Sequence, residues 1–418
     1  MRIVLKTGRN INTGIDNSIS FFSDNISRKW YTWLAYSALS LDIIIRFILI
    51  LLKKLPLGSI ISALFVPVLF IFLIYKNQSR EVLNNIRASD WCFILLFYLY
   101  VGISFILNTS AREYISYYWE AIFLTAPLYF LFGLTFPCDR KMKNAWLVLS
   151  KVIIFVDLAY VIYALGGAQT ISEDSMERAY RMIPGVMLLT AECFETKKAK
   201  DLLWAIGGTL YVLTCGTRGP VLVLLVYWLY CLLFVGSNTL WRKIFGIAAI
   251  IAVVLIYYSP VYYQILNSLS NIASGFGLST RVFTEAMSGT FISNDNGRNR
   301  LYEIGLQMIR DNPFGYGIYG EWSYMGWNVH QFYLQFLIHF GVFFGPILII
   351  MLIALVMRAY VNNPNHHAQN IIMIFACFVF VKGFAGGTYI DWQCAFLIGL
   401  CIREVRNKRE IYPYVKNA

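Results

Sequence analysis

Three side chains set among glycines in a very apolar chain carry the chemistry this sequence offers: Arg218, Arg298 and His330. Arg298 follows Gly297 and precedes Leu301, Ile304, Gly305 and Met308, spaced i, i+3, i+4 and i+7 as on one face of an amphipathic helix. The first residue of such a helix stands beside unpaired backbone N–H groups, so a guanidinium and a helix N-terminus together attract phosphate. A solvated loop arginine is the plainer alternative. Arg300 lies two positions on, about 200° around a helix, and cannot share a site with Arg298 if both are helical. Arg218 sits in the turn Cys215-Gly216-Thr217-Arg218-Gly219-Pro220. There the glycines let a ligand approach the backbone, although an arginine snorkelling to the membrane boundary explains the same residue. His330 opens a very apolar run at the water boundary. An imidazole in that position hydrogen-bonds a hydroxyl or exchanges its proton, or serves structure alone.

Other titratable groups are weaker candidates. Lys382 stands inside an apolar run and needs a partner, either a phosphate or a carboxylate such as Asp391 or Glu120. Arg178 and Arg181 lie between apolar runs and are candidates of the same kind. Asp157 and Glu120 are expected to be hydrogen-bonded inside a helix bundle. His339, nine residues after His330, falls on the opposite face of a helix and is expected to serve packing. The sequence has no Walker loop, no HExxH and no DxD-type acidic pair on an outer loop. The expected site is cationic, without metal or cofactor, and suits a donor that already carries an anionic leaving group.

The elements that position these residues follow from composition. Of 418 residues, 58% are hydrophobic and 14% charged, with a mean hydropathy of +0.59, which excludes a soluble globular enzyme. An apolar helix needs about 20 residues to cross a bilayer, and the runs that approach this length number roughly twelve. They fall at about 31–52, 57–75, 91–107, 115–134, 145–165, a weak one interrupted by Pro184, 202–215, 219–236, 244–258, 330–357, 370–384 and 390–402. Asp42 and Arg46, four apart in the first, are placed to pair. The net charge of +12 resides in short loops between the runs, a pattern of topology and not of nucleic-acid binding. Lysine and arginine cluster after the even runs and in the tails 1–29 and 403–418, which places both termini in the cytoplasm and the loop 259–329 outside. The eight cysteines form no CxxC pair, so no disulfide framework or zinc site is expected. The fold expected is all-α: a single polytopic membrane bundle of about twelve helices, with one large extracytoplasmic loop holding an amphipathic helix.

The Thr217-Arg218-Gly219 turn, the stretch GRNRLYEIGLQMIRDNPFGYG from Gly297 to Gly317, and His330-Gln331 ahead of Gly341 resemble motifs of the O-antigen ligase and O-antigen polymerase superfamily of bacterial membrane glycosyltransferases. In the ligase pattern a further Gly, Thr or Tyr follows three positions after the glycine; here Phe344 stands there and glycine comes at Gly345. The resemblance implies a GT-C-like helical enzyme of the bacterial cytoplasmic membrane, acting at its outer face. Its donor would be a polyprenyl-pyrophosphate-linked glycan. The acceptor would be a second carrier-linked repeat unit of O-antigen or capsule in a polymerase, or lipid A core in a ligase. Arg218, Arg298 and His330 map to the family's catalytic positions. Arg178, Arg181, Arg300, Lys382 and Gln331 would be further contacts to pyrophosphate or glycan. The partners implied are the bilayer and a polysaccharide chain-length regulator. A lipid-linked oligosaccharide flippase is the reading from another class, although no internal repeat of the transporter kind is visible.

Overall fold

Backbone polar groups buried in lipid must pair within their own segment, so apolar runs of this length become helices. The described residues are helices and connecting turns, with no strand among them. The computed structural model describes residues 86–119, 121–136, 138–166, 175–235, 258–275, 279–290, 298–361 and 363–415, with 244, 246–248, 251–252 and 255–256. The chain groups into Met1–Leu83 and Asn84–Ala418, and all described residues belong to the second unit. The tail 1–29, the runs at 31–52 and 57–75, the Asp42–Arg46 pair, Glu120, Gly297 and much of 244–258 lie outside the described residues.

Helix α1 (Ala88–Leu107) leads through a short α2 (Arg112–Tyr117) and a π turn (Ala121–Thr125) into α3 (Ala126–Thr135). Helices α4 (Arg140–Gly166), α5 (Ser175–Thr196), α6 (Ala199–Thr214) and α7 (Arg218–Phe234) follow. The loop 259–329 is largely helical: α8 (Pro260–Gly275), α9 (Arg281–Met287), α10 (Arg298–Asp311) and α11 (Trp322–Met325). Then come α12 (Phe332–Tyr360), α13 (His366–Ala376), a π turn (Cys377–Val381), α14 (Lys382–Ala385) and α15 (Trp392–Val415). Among the described residues, Ala88–Leu107, Phe332–Tyr360 and His366–Phe384 are long and apolar enough to cross a membrane; Ala121–Thr135 and Arg218–Phe234 are apolar but shorter. The described residues are those of a membrane protein, and the count of about twelve stays an expectation of the sequence.

Two details differ from that expectation. Pro184 does not interrupt α5, which runs unbroken from Ser175 to Thr196. A proline removes one backbone donor, and the packing of α5 against α4, α6 and α7 holds the helix together around it. Helix α15 continues to Val415, through residues expected as a tail. The buried carboxylate of Asp157 lies under the charges of Arg181 and Arg178.

Small residues set the closest helix contacts, as packing in lipid requires. A Cβ on Gly133 of α3 would stand 2.3 Å from the Phe396 carbonyl oxygen, and one on Gly399 of α15 would stand 2.1 Å from that of Phe130. At the start of α1 the buried Asp90 is held by both guanidinium nitrogens of Arg406, at 2.7 and 2.5 Å, which compensates a charge that would otherwise be costly to bury.

The element that organises the site is a break in α12. Gly341 has φ 75° and ψ 174°, a conformation open only to glycine, so the first turns, Phe332 to Phe340, separate from the rest. The backbone groups left without helical partners are taken up by the Pro313–Gly317 segment. The N–H groups of Tyr316 and Gly317 donate to the carbonyls of Ile338 (2.8 Å) and His339 (3.1 Å), and Val342 N–H donates to the Pro313 carbonyl (2.9 Å). The Tyr100 hydroxyl also donates to the His339 carbonyl at 2.9 Å. The backbones approach so closely that a Cβ on Gly315 would lie 2.6 Å from the Gly341 nitrogen. The two motifs read separately in the sequence, Asn312-Pro313-Phe314-Gly315 and the glycine eleven residues after His330, are therefore one junction.

Candidate active site

Helix α10 starts at Arg298 and stops at Asp311, just before Asn312-Pro313. Its apolar stripe faces the first turns of α12: Met308, 2% exposed, packs with Val329, Leu334 and Ile338. Burying such a side chain contributes roughly 1.5 to 3 kcal/mol. Gly305 allows the approach, since a Cβ there would meet Ile338 and Leu334 at 3.1 Å. The stripe fixes the rotation of α10 and hence the direction of its first residue. Arg298 is half-buried and Arg300 exposed, as two residues on opposite sides of a helix must be.

The Arg298 guanidinium lies over the turn between α14 and α15, where a Cβ built on Gly386 would stand 4.0 Å from its Nη2. Lys382, the first residue of α14, pairs with Asp391 at 2.7 Å and lies over the rings of Tyr180 (5.0 Å) and Phe378 (5.3 Å). Among the partners expected for this lysine within the chain, Asp391 is the carboxylate that pairs with it. The charges of Arg298 and Asp391 both reach the Tyr180 hydroxyl. His330 precedes α12 in a left-handed conformation (φ 54°), its N–H donating to Asn328 Oδ1 at 2.9 Å. A non-glycine residue pays about 1 to 2 kcal/mol for that conformation, here held by the fully buried Val329 beside it. Burial first, and the Arg298 charge second, hold the His330 imidazole below its ordinary value. Arg298, His330 and Lys382 thus form one electrostatic neighbourhood with Tyr180 and Asp391.

A neutral imidazole at pH 7 is the form that accepts a proton. The rate should fall on the acid side, with its limb below pH ~6.5, the ordinary histidine value. Replacing Arg298 by glutamine removes a positive neighbour and raises the imidazole pKa, so the limb of the residual activity should move to higher pH. A limb at the same pH in both proteins would remove Arg298 from the surroundings of His330.

Arg218 belongs to a second group. It begins α7 and pairs with the buried Glu285 at 3.2 Å, which Arg281 also holds at 2.9 Å. Gly216, with φ 71°, lets the turn pack on the loop between α8 and α9; a Cβ there would lie 2.4 Å from Ser279 Oγ. Arg178 is buried, and its charge acts on Asp157, Tyr211 and Cys215, so it adjoins the same turn; Arg181 acts on Asp157 too. The two groups touch through their helices, because α7 packs against α14 and the π turn before it. Gln331 is half-buried at the N-terminal boundary of α12, its carbonyl accepting from Gln335 N–H at 2.9 Å. Among the described residues no group of three or more His, Cys, Asp or Glu side chains is placed to hold a metal ion.

His339 is not packing alone. Its ring is fully buried between the Glu321 carboxylate at Nε2 and the Tyr389 hydroxyl at Nδ1 (2.7 Å). The opposite-face argument assumed a helix through His330 and His339, whereas His330 lies in a left-handed turn before α12 begins. Sequence reasoning also missed Glu321, Gln335 and Thr388. Gln335 and His339, i and i+4 on an otherwise apolar helix, were the visible signal for a buried polar face.

No curated protein and no solved structure matches the chain. A family model described as O-antigen ligase matches residues 203–350, less than half of the 418. The matched stretch holds Arg218, Arg298, Arg300, His330, Gln331 and the break at Gly341, while Arg178, Arg181 and Lys382 lie beyond it. Through this domain, which carries the Arg218 turn, the helix begun by Arg298 and the His330 turn, the chain is similar to the O-antigen ligase family.

Proposed function

We propose that this protein is a polymerase of the bacterial cytoplasmic membrane, joining polyprenyl-pyrophosphate-linked repeat units of O-antigen or capsule at the outer face. The observation that carries this reading is the placement of Arg298, at the N-terminus of α10, beside His330 and over the turn whose Asp391 holds Lys382. The acceptor hydroxyl attacks the anomeric carbon of the donor sugar, and His330 takes the hydroxyl proton. The bond from that carbon to the pyrophosphate oxygen breaks, and the pyrophosphate leaves with the electron pair. A guanidinium binds phosphate oxygens through several N–H groups and stabilises charge growing on the leaving group, so Arg298, with Arg218 at the second group, neutralises it without a metal ion. Direct displacement inverts the anomeric centre. Both termini face the cytoplasm, and a chain-length regulator is the protein partner this activity would have.

Transfer of finished polymer to lipid A core is the second reading, favoured by the description of the family that matches. Gels of lipopolysaccharide or capsule separate the two. In a deletion strain the ladder should collapse to a single repeat and return with the wild-type gene, but not with Arg218→Ala, Arg298→Ala or His330→Ala. Long polymer retained on the lipid carrier, with none on lipid A, would make the protein a ligase. Normal ladders from all three variants would remove the site altogether.

A further inference from the structure

A chain of buried hydrogen bonds runs from the core of α12 to the turn beneath Arg298. Glu321, fully buried, accepts from His339 at one carboxylate oxygen and from Gln335 Nε2 at the other, at 3.0 Å. The Gln335 oxygen accepts from the Thr388 hydroxyl at 2.6 Å, and that hydroxyl in turn accepts from Ile390 N–H at 3.4 Å. The turn of Thr388 closes on Asp391, whose N–H donates to the Thr388 carbonyl at 3.3 Å and whose carboxylate holds Lys382 at 2.7 Å.

The members come from three separate elements: the loop ahead of α11, the short first part of α12, and the turn between α14 and α15. That turn begins with two adjacent glycines, and Gly386 has φ 141°; the Gly386 and Gly387 N–H groups donate to the Lys382 carbonyl at 3.0 and 3.2 Å, which ties the turn to α14 but not to α12. It must nevertheless stay bare and close, because Arg298 lies over Gly386. Thr388 is the first side chain after the glycines that reaches outside the turn, and it bonds to Gln335. Apolar packing would hold the turn near α12, whereas a directional chain of this kind selects one position for it.

We propose that Glu321, His339, Gln335 and Thr388 are positioning residues: they fix the Gly386–Asp391 turn, and with it Lys382, at the spacing from Arg298 that a pyrophosphate requires. The role in binding rests on the pyrophosphate reading, while the role in holding the turn does not. The test compares full-length wild type, Thr388→Val and Thr388→Ser in detergent, by hydrogen exchange across the chain and by the affinity of farnesyl pyrophosphate as a probe. Valine keeps the shape of threonine and removes the hydroxyl; serine keeps the hydroxyl. In Thr388→Val, exchange should rise about tenfold at 386–391, with α12 and α15 still protected, and the probe should bind about tenfold more weakly. Thr388→Ser should restore both. Unchanged exchange at the turn would overturn the proposal, as would a rise spread over all helices, which would mark a general stability element. Raised exchange with undiminished affinity would overturn the link to the site. If wild type itself binds no probe, the pyrophosphate reading fails, and the exchange result still decides whether the chain holds the turn.

Discussion

Replacing Arg298 by alanine should lower turnover by about 10² to 10³, the usual loss when one donor to a developing oxyanion is removed. The helix it begins should survive, because α10 is held by Met308 and Gly305 on α12 and not by its first residue. The purified variant should keep its melting temperature while losing transfer. Arg298→Lys should recover only part of the rate, since an ammonium keeps the charge but lacks the planar fork that engages several phosphate oxygens. Arg300, which the resemblance offers as a further contact, is exposed on the side of α10 away from Arg298, so Arg300→Ala should change the rate by no more than about twofold, the range of an ordinary surface substitution, and a larger loss would keep it in the site. Equal losses at 298 and 300 would mean that the loop's charge matters only in bulk, and that the rotation of α10 selects nothing.

The second large effect concerns the break in α12. Gly341→Ala should cost more than about 4 kcal/mol, enough to remove most folded protein. Two causes add. The conformation at Gly341 is open to glycine alone, and a Cβ would stand 2.4 Å from the Pro313 carbonyl oxygen and 2.5 Å from the Phe314 carbonyl carbon. Both neighbours are backbone, tied to α12 by the Val342 and Tyr316 hydrogen bonds, so neither moves aside cheaply. Gly326→Ala separates the causes: its φ is 68° but no atom lies within 4 Å of the added carbon, and its cost should be about 1 to 2 kcal/mol. Fluorescence-detected size exclusion of the two variants measures this. Similar yields would show that the junction tolerates opening.

The stripe of α10, its stop at Asn312-Pro313 and the division between Arg298 and Arg300 follow from helical spacing, which is local. Hydropathy runs across Gly341 without interruption, so nothing in the apolar pattern of Phe332 to Tyr360 marks a break. The cause is an exchange of backbone hydrogen bonds with a segment more than twenty residues earlier, information that no periodicity holds. The Glu321–His339 pair was hidden for the same reason, and was further masked by assuming helical geometry at His330. Lys382 shows the intermediate case. The cost of a charge in an apolar helix requires a partner, yet picking out Asp391 within the chain required the turn after Gly386. Arg178, Arg181 and Arg218 were identified singly, and their neighbourhood around Asp157 and Glu285 emerged only from the packing of α5, α6, α7 and α9.

The central claim is glycosyl transfer between carrier-linked repeats by the Arg298 and His330 group. The most direct measurement gives purified protein a homogeneous polyprenyl-pyrophosphate-linked repeat unit, without lipid A core, and follows chain length and released polyprenyl pyrophosphate together by mass spectrometry. The expected result is a ladder of carrier-linked oligomers, one carrier pyrophosphate released for each new linkage, every new linkage inverted relative to the donor, and no ladder with Arg298→Ala or His330→Ala. Carrier-linked units unchanged in length, with transfer appearing only once lipid A core is added, would contradict it.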